Sequence, residues 1–148
     1  MDLFLWRHAD ALSGMADFDR ELSTQGHQQA ARAAEWLEEH APEKLRILVS
    51  PSVRTRQTVG YFNQGYNTIE YLPPLYDNRP IKEILALLDW PDMKAPTLVV
   101  GHQPQIGELA DFLLGKVPHP YSFNKCAIWW LRAEAGQKGV QLEQVVEP

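Results

Sequence analysis

The chain has one cysteine, Cys126, in 148 residues. With no second thiol an internal disulfide is impossible, and the sequence fits a reducing compartment; Cys126 itself reads as a small buried hydrophobe rather than a reactive thiol. The sequence also lacks any apolar run of the ~18 residues that a membrane-spanning helix needs. The apolar start, Met1 to Trp6, is too short for the core of a secretory signal. No membrane association is expected, and a cytoplasmic setting is the default. Basic charge is in deficit, with 14 Lys and Arg against 19 Asp and Glu and a formal net charge of -5. Nucleic acid and anionic membrane surfaces call for clustered excess Lys and Arg, so neither is an expected partner, and any positive site must be local. Five histidines invite a metal hypothesis, yet no two of them stand at the i, i+4 spacing of a zinc-binding helix. Internal repeats and low-complexity tracts are missing too.

What remains has the composition of an ordinary globular protein, 45% apolar and 22% charged, at a length suited to one domain spanning residues 1–148. Strand-like and helix-like segments alternate, which favours βαβ units and a largely parallel sheet. Asp2 to Trp6 reads as a buried strand. Ala11 to Arg20, with Gly14 and two Asp, reads as a loop. A helix follows, capped by Ser23 or Thr24, with Ala30, Ala33, Ala34 and Leu37 on its apolar face. Arg46 to Ser50 is a short strand, and Pro51 to Phe62 a helix begun by proline. Gly65 and Asn67 mark a turn, Thr68 to Leu72 a strand, and Ile81 to Leu88 a helix. Thr97 to Val100 is a further strand, followed after Pro104 by a helix ending at Gly115. Cys126 to Leu131 and Val140 to Val146 suggest an edge hairpin joined through Glu134 to Gly139. Trp129 and Trp130 must point to opposite faces of their strand, which suggests one in the core and one on an exposed contact surface.

Three strand ends deliver polar groups at corresponding places: Arg7 and His8, then Ser50 with Arg54, then Gly101 and His102. In open parallel sheets ligands bind at the carboxyl ends of strands. Two guanidiniums and two imidazoles gathered there suit a tetrahedral dianion, because the guanidinium fork matches phosphate oxygens and helix N-termini add backbone donors. A neutral imidazole can attack phosphorus in line while the cations stabilise the equatorial oxygens. His8 is the expected nucleophile, accepting a phosphoryl group that water later removes. His27, His40 and His119 carry no such context.

The segments Leu3-Phe4-Leu5-Trp6-Arg7-His8-Ala9-Asp10, Ser50-Pro51-Ser52-Val53-Arg54-Thr55-Arg56-Gln57-Thr58 and Val99-Val100-Gly101-His102-Gln103-Pro104 resemble, in order, the three signature segments of the histidine phosphatase superfamily, the phosphoglycerate mutase-like group. The helix entry Leu22-Ser23-Thr24-Gln25-Gly26-His27-Gln28-Gln29-Ala30 resembles a fourth feature of that family. The short length, Ala9 in place of the usual glycine and the acidic residue beside it most resemble the small SixA-type phosphohistidine phosphatases. The resemblance implies an α/β fold, a three-layer α/β/α sandwich with a mostly parallel central sheet. It also implies His8 as nucleophile, Arg7, Arg54 and His102 as the phosphate pocket, and no metal or organic cofactor. Arg20, where related small phosphatases often carry a basic residue, is a candidate substrate contact, as are Ser13 and Gln103.

The sequence departs from the larger members of that family in having little room for the mid-chain insertion that supplies their catalytic acid. Asp10, Asp77 and Glu83 are the available carboxyls, none of them marked out. Imidazole, with an ordinary pKa near ~6.5, needs far less acid help to leave phosphorus than an alkoxide does. The expectation is therefore hydrolysis of phosphohistidine on a phosphorelay or carrier protein, by a monomer. Two alternatives stay open: a phosphatase, or less readily a mutase, for a small phosphomonoester, and a non-catalytic module that binds a phosphorylated partner.

Overall fold

A computed structural model describes residues 1–62, 67–115, 121–134 and 139–148. The strands are β1 (Asp2–Arg7), β2 (Arg46–Val49), β3 (Ile69–Tyr71), β4 (Thr97–Gly101), β5 (Ile128–Ala133) and β6 (Val140–Val146). They form one sheet in the order β3-β2-β4-β1-β5-β6. The first four are mutually parallel, β5 runs antiparallel to β1, and β6 completes the edge hairpin. Four helices, α1 (Thr24–His40), α2 (Val53–Val59), α3 (Ile81–Leu87) and α4 (Gln105–Leu114), cover its faces.

Strand periodicity divides the core. On β1, Phe4 and Trp6 join β2's Ile47 and Val49 and the Ala30, Ala33, Ala34, Leu37 stripe of α1. Leu3 and Leu5 point the other way, onto Ile84 of α3 and Ile106, Leu109 and Leu113 of α4. Because successive strand residues face opposite sides, a strand apolar throughout must be covered on both, and the result is the three-layer α/β/α sandwich. Among the described residues no helix is long and apolar enough to cross a membrane.

The central position of β4 sets the site. Arg7 pairs in register with Gly101, and Val49 with Val100. The hydrogen bonding continues past the strand ends, with His8 N–H donating to the Gly101 carbonyl (3.1 Å) and Ser50 N–H to that of Val100 (3.0 Å). The tips of β1, β4 and β2 therefore lie side by side.

Some expectations need correction. Helix α2 starts at Val53 instead of Pro51, because Ser52 is the N-cap and its hydroxyl accepts from Thr55 N–H at 3.5 Å. The loop 11–20 is less irregular than expected: Ala11 bridges Leu22, and Asp17–Asp19 forms a 3-10 turn. Neither Trp129 nor Trp130 supplies an exposed surface. Trp130 stacks on Phe4 with centroids 5.7 Å apart, and Trp129 on Phe123 at 4.4 Å, each half-buried against a different core. Gly65, His119 and most of the turn expected between Glu134 and Gly139 lie outside the described residues.

Gly26, in the first turn of α1, packs directly on the loop that follows β1. A Cβ there would collide with the Asp10 carbonyl. Gly26→Ala should therefore destabilise the fold by about 1–3 kcal/mol through overpacking, measured as a lowered midpoint in urea. An unchanged midpoint would show that α1 can retreat freely.

Candidate active site

His8 follows β1 and is only 7% exposed. Its Nδ1 lies 2.7 Å from the Ala9 carbonyl. A carbonyl can only accept, so Nδ1 carries the proton and Nε2 keeps its lone pair. The preceding peptide is also held, the Ala9 N–H donating to Thr58 Oγ1 (3.1 Å), which donates in turn to the Arg54 carbonyl (2.7 Å). Burial, opposed by the Ala9 hydrogen bond and reinforced by the Arg54, Arg7 and Arg20 guanidiniums, lowers the His8 pKa to about 4. Its ring is thus neutral in neutral solution, as a nucleophile must be.

His102 follows β4, its ring centroid 5.2 Å from that of His8. Its Nε2 sits 2.7 Å from Ser50 Oγ; with that hydroxyl donating, Nδ1–H is left as a donor. Burial first, then His8 and Arg54, lower the His102 pKa to about 3. Arg7 donates through Nη1 to the Phe123 carbonyl at 2.6 Å, and buried Arg54 donates through Nη1 to the Asp17 carbonyl at 2.7 Å. Both guanidiniums are thereby aimed by backbone oxygens.

Three of the buried polar atoms without a partner among the described residues belong to this cluster: Arg7 Nε, Arg54 Nε and His102 Nδ1. Leaving a buried donor unsatisfied costs about 1–3 kcal/mol, and three together are a structural signature of a site made for an anion. A cleft of about 330 Å³ is lined by two of these residues, Arg54 and His102, with Asp17, Tyr76, Asp77 and Gln103 among others.

The remaining sequence candidates fare differently. Arg20 lies nearby, but its Nε donates to the Leu12 carbonyl at 2.8 Å and its Nη1 contacts Asp17 at 3.5 Å. Ser13 is exposed on the loop. Gln103 lines the cleft while its Nε2 donates to the Tyr121 carbonyl at 2.8 Å. As possible acids, Asp10 and Glu83 do not suit the geometry. Asp10 is bound by Lys125 (2.7 Å) and by the Ser23 hydroxyl (2.6 Å), and these bonds hold its carboxyl below the usual range, the reverse of what a proton donor needs. Glu83 pairs with Arg79 at 2.8 Å on the exposed side of α3. Asp77 does line the cleft. Sequence reasoning missed Thr58 as the support of the Ala9 peptide, and it missed Asp17 and Tyr76. Thr58 stood in the quoted second segment, four residues from Arg54 and hence on the same helix face, which was a usable signal. Tyr76 carried none. Among the described residues no group of three or more His, Cys, Asp or Glu could hold a metal ion.

The family model of the histidine phosphatase superfamily (branch 1) matches residues 3–84. This chain belongs to that superfamily. Among similar histidine phosphatases, one from Haemophilus influenzae named as a phosphohistidine phosphatase SixA homolog is 28% identical over 158 aligned positions, covering 97% of this chain and 95% of the relative. Phosphohistidine phosphatase SixA of Escherichia coli K12 is 31% identical over 134 positions, covering 86% and 83%. A solved structure of the protein histidine phosphatase SixA complexed with tungstate superposes with a TM-score of 0.77 at 27% identity, covering 99% of this chain and 97% of the other. The fold of this histidine phosphatase is thus the three-layer sandwich of its family.

The depressed histidines have a consequence for stability. Each binds its proton more weakly folded than unfolded, so the unfolded state holds more protons between the ordinary value near ~6.5 and the folded values of about 4 and about 3. Their contribution is complete above ~pH 6.5 and is lost as pH falls through the folded values. From pH 7 to pH 5 the wild type should lose about 2 kcal/mol through His8 alone, and His8→Asn should lose correspondingly less. Urea midpoints at the two pH values measure this; equal losses in the two proteins would contradict the assignment.

Proposed function

We propose that this chain hydrolyses phosphohistidine on a phosphorelay or carrier protein, through a covalent phosphoryl intermediate on His8. The observation that carries the reading is a neutral, tautomer-locked His8 in one cluster with three buried nitrogens, Arg7 Nε, Arg54 Nε and His102 Nδ1, that have no partner among the described residues. The SixA names of the relatives point to the same substrate class.

His8 Nε2 attacks phosphorus while its Nδ1–H stays on the Ala9 carbonyl. Arg7, Arg54 and His102 hold the three equatorial oxygens and stabilise the charge that spreads over them. Water then displaces His8 from phosphorus, releasing phosphate and the free imidazole. Asp10, the carboxyl nearest His8 in the chain, is engaged by Lys125 and Ser23 and is no acid for the reaction; an imidazole leaving group tolerates this and an alkoxide does not. The domain is residues 1–148, acting as a cytoplasmic monomer. A small phosphomonoester is the second reading, favoured by one observation, the place of Asp77 in the lining of the cleft.

The test is parallel turnover of a histidine-phosphorylated carrier protein and an aryl phosphate, with a metal chelator present. The expected result is strong preference for the phosphoprotein, lost in His8→Ala and indifferent to chelator. Better hydrolysis of the ester would overturn the reading in favour of the second. Arg54→Ala should lower kcat by about 10²–10³-fold, comparable to the loss of one oxyanion donor, while His8→Ala should leave no covalent phosphoenzyme in a single-turnover trap.

A further inference from the structure

The 3-10 turn in the loop before α1 places one carboxylate at the site that the reaction above leaves unused. Asp17 Oδ2 is pinned between the Tyr76 hydroxyl at 2.8 Å and Arg54 Nη2 at 3.3 Å. Its backbone carbonyl also accepts from Arg54 Nη1 at 2.7 Å, so the carboxylate's position relative to that guanidinium is fixed twice. Oδ1 has one long contact among the described residues, 3.5 Å from Arg20 Nη1. The side chain is 57% exposed and lines the cleft. The hydrogen bond from Tyr76, together with Arg54 and Arg20, holds the carboxyl below its usual range. It is a poor proton donor and a permanent acceptor.

We infer that Asp17 is a specificity-determining residue whose carboxylate accepts a hydrogen bond from the distal ring N–H of a phosphoimidazole leaving group, favouring P–N over P–O substrates. The inference rests on the phosphohistidine reading above. In the first step a bond forms between His8 Nε2 and phosphorus. The P–N bond to the substrate imidazole breaks, its electron pair remaining on the scissile nitrogen. If the distal nitrogen keeps its proton, that imidazole departs neutral and no proton need reach the scissile atom; without it, a far less stable imidazolate must leave. His8 is already arranged in this way, with its distal Nδ1–H on the Ala9 carbonyl. Asp17 supplies the matching acceptor on the leaving side, so phosphoryl transfer runs between two imidazoles that each hold a distal proton. In the second step water adds to phosphorus and His8 leaves neutral, giving dihydrogen phosphate with no external acid. An ester offers no N–H to Asp17, and an anion there cannot protonate an alkoxide.

Three other residues of the cleft fit less well. Asp77 and Asn78 are exposed there with no hydrogen bond to Arg54, and Gln105 donates its amide to the Pro74 and Arg79 carbonyls.

The experiment compares wild type with Asp17→Asn and Asp17→Glu on a histidine-phosphorylated carrier protein and on 4-nitrophenyl phosphate, across pH. In Asp17→Asn the ratio of the two kcat/KM values should fall by about tenfold or more in favour of the ester, with partial recovery in Asp17→Glu. The high-pH limb of the phosphohistidine profile should move about one unit lower, since an adjacent anion no longer retains the distal proton. The groups facing Asp17, namely Arg54 from α2, Arg20 on the loop, Tyr76 with its neighbour Asp77, and His102 after β4, are common to all three proteins, so the difference isolates the carboxylate. Tyr76→Phe, which releases Oδ2, should shift the ratio in the same direction by less. An equal fall on both substrates would mean that Asp17 merely positions Arg54, and an unmoved ratio or pH limb would also overturn the inference. Failure of the wild type on the phosphoprotein would instead remove the reading on which it rests.

Discussion

The hydrogen bond from His8 Nδ1–H to the Ala9 carbonyl is the contact on which the site depends. It decides which ring nitrogen is free to act, and it does so through backbone, which cannot rotate away. Much of the surrounding architecture keeps that one peptide still. Thr58 of α2 binds the Ala9 N–H, in the preceding peptide. The N–H of the peptide that carries the Ala9 carbonyl, which is Asp10's, donates to Gln29 of α1 at 3.0 Å, and the Asp10 carbonyl accepts from Ser23 N–H at 3.0 Å. Gly26 allows α1 to come that close. The helices of one layer thus serve as braces for a turn one residue beyond a strand.

Electrostatics at the strand tips suits an anion. Two guanidiniums and two imidazoles converge where water is largely excluded. The protein relieves this by keeping both imidazoles neutral and by turning part of each guanidinium onto carbonyls of Phe123 and Asp17. What it does not relieve is the set of three buried nitrogens that have no partner among the described residues. A dianion bound at the strand tips would offer acceptors to such nitrogens and raise the proton affinity of both histidines.

Much of the layer architecture was legible in residue patterns. Strands β1 and β4 are apolar on both faces, α1 and α4 carry their stripes at helical spacing, and the polar residues Arg7, His8, Ser50 and His102 follow directly on strand ends. What failed had local causes. Pro51 signalled a helix start, but Ser52, which can cap, sits closer to it. The adjacent tryptophans suggested one exposed face, yet both faces of β5 are covered, by Phe4 and Trp36 on one side and by Phe123 and Tyr121 on the other. Asp10 lay two positions from the proposed nucleophile in the chain, but a side chain one residue past Ala9 turns toward α1 and Lys125.

By itself the sequence determined the strands and helices, their alternation, and the identity of the four residues that end on the same side of a parallel sheet, because these follow from period, polarity and order along the chain. Tertiary structure alone decided the rest. Which imidazole nitrogen bears the proton depends on a carbonyl orientation braced from elsewhere in the chain, by Gln29, 19 positions from Asp10, and by Thr58, 49 positions from Ala9. The meeting of Asp17, Arg54 and Tyr76 joins three segments separated by 37 and 59 positions from Asp17. Hydrogen-bond geometry of that kind depends on distances in space, and no local pattern in the chain encodes it.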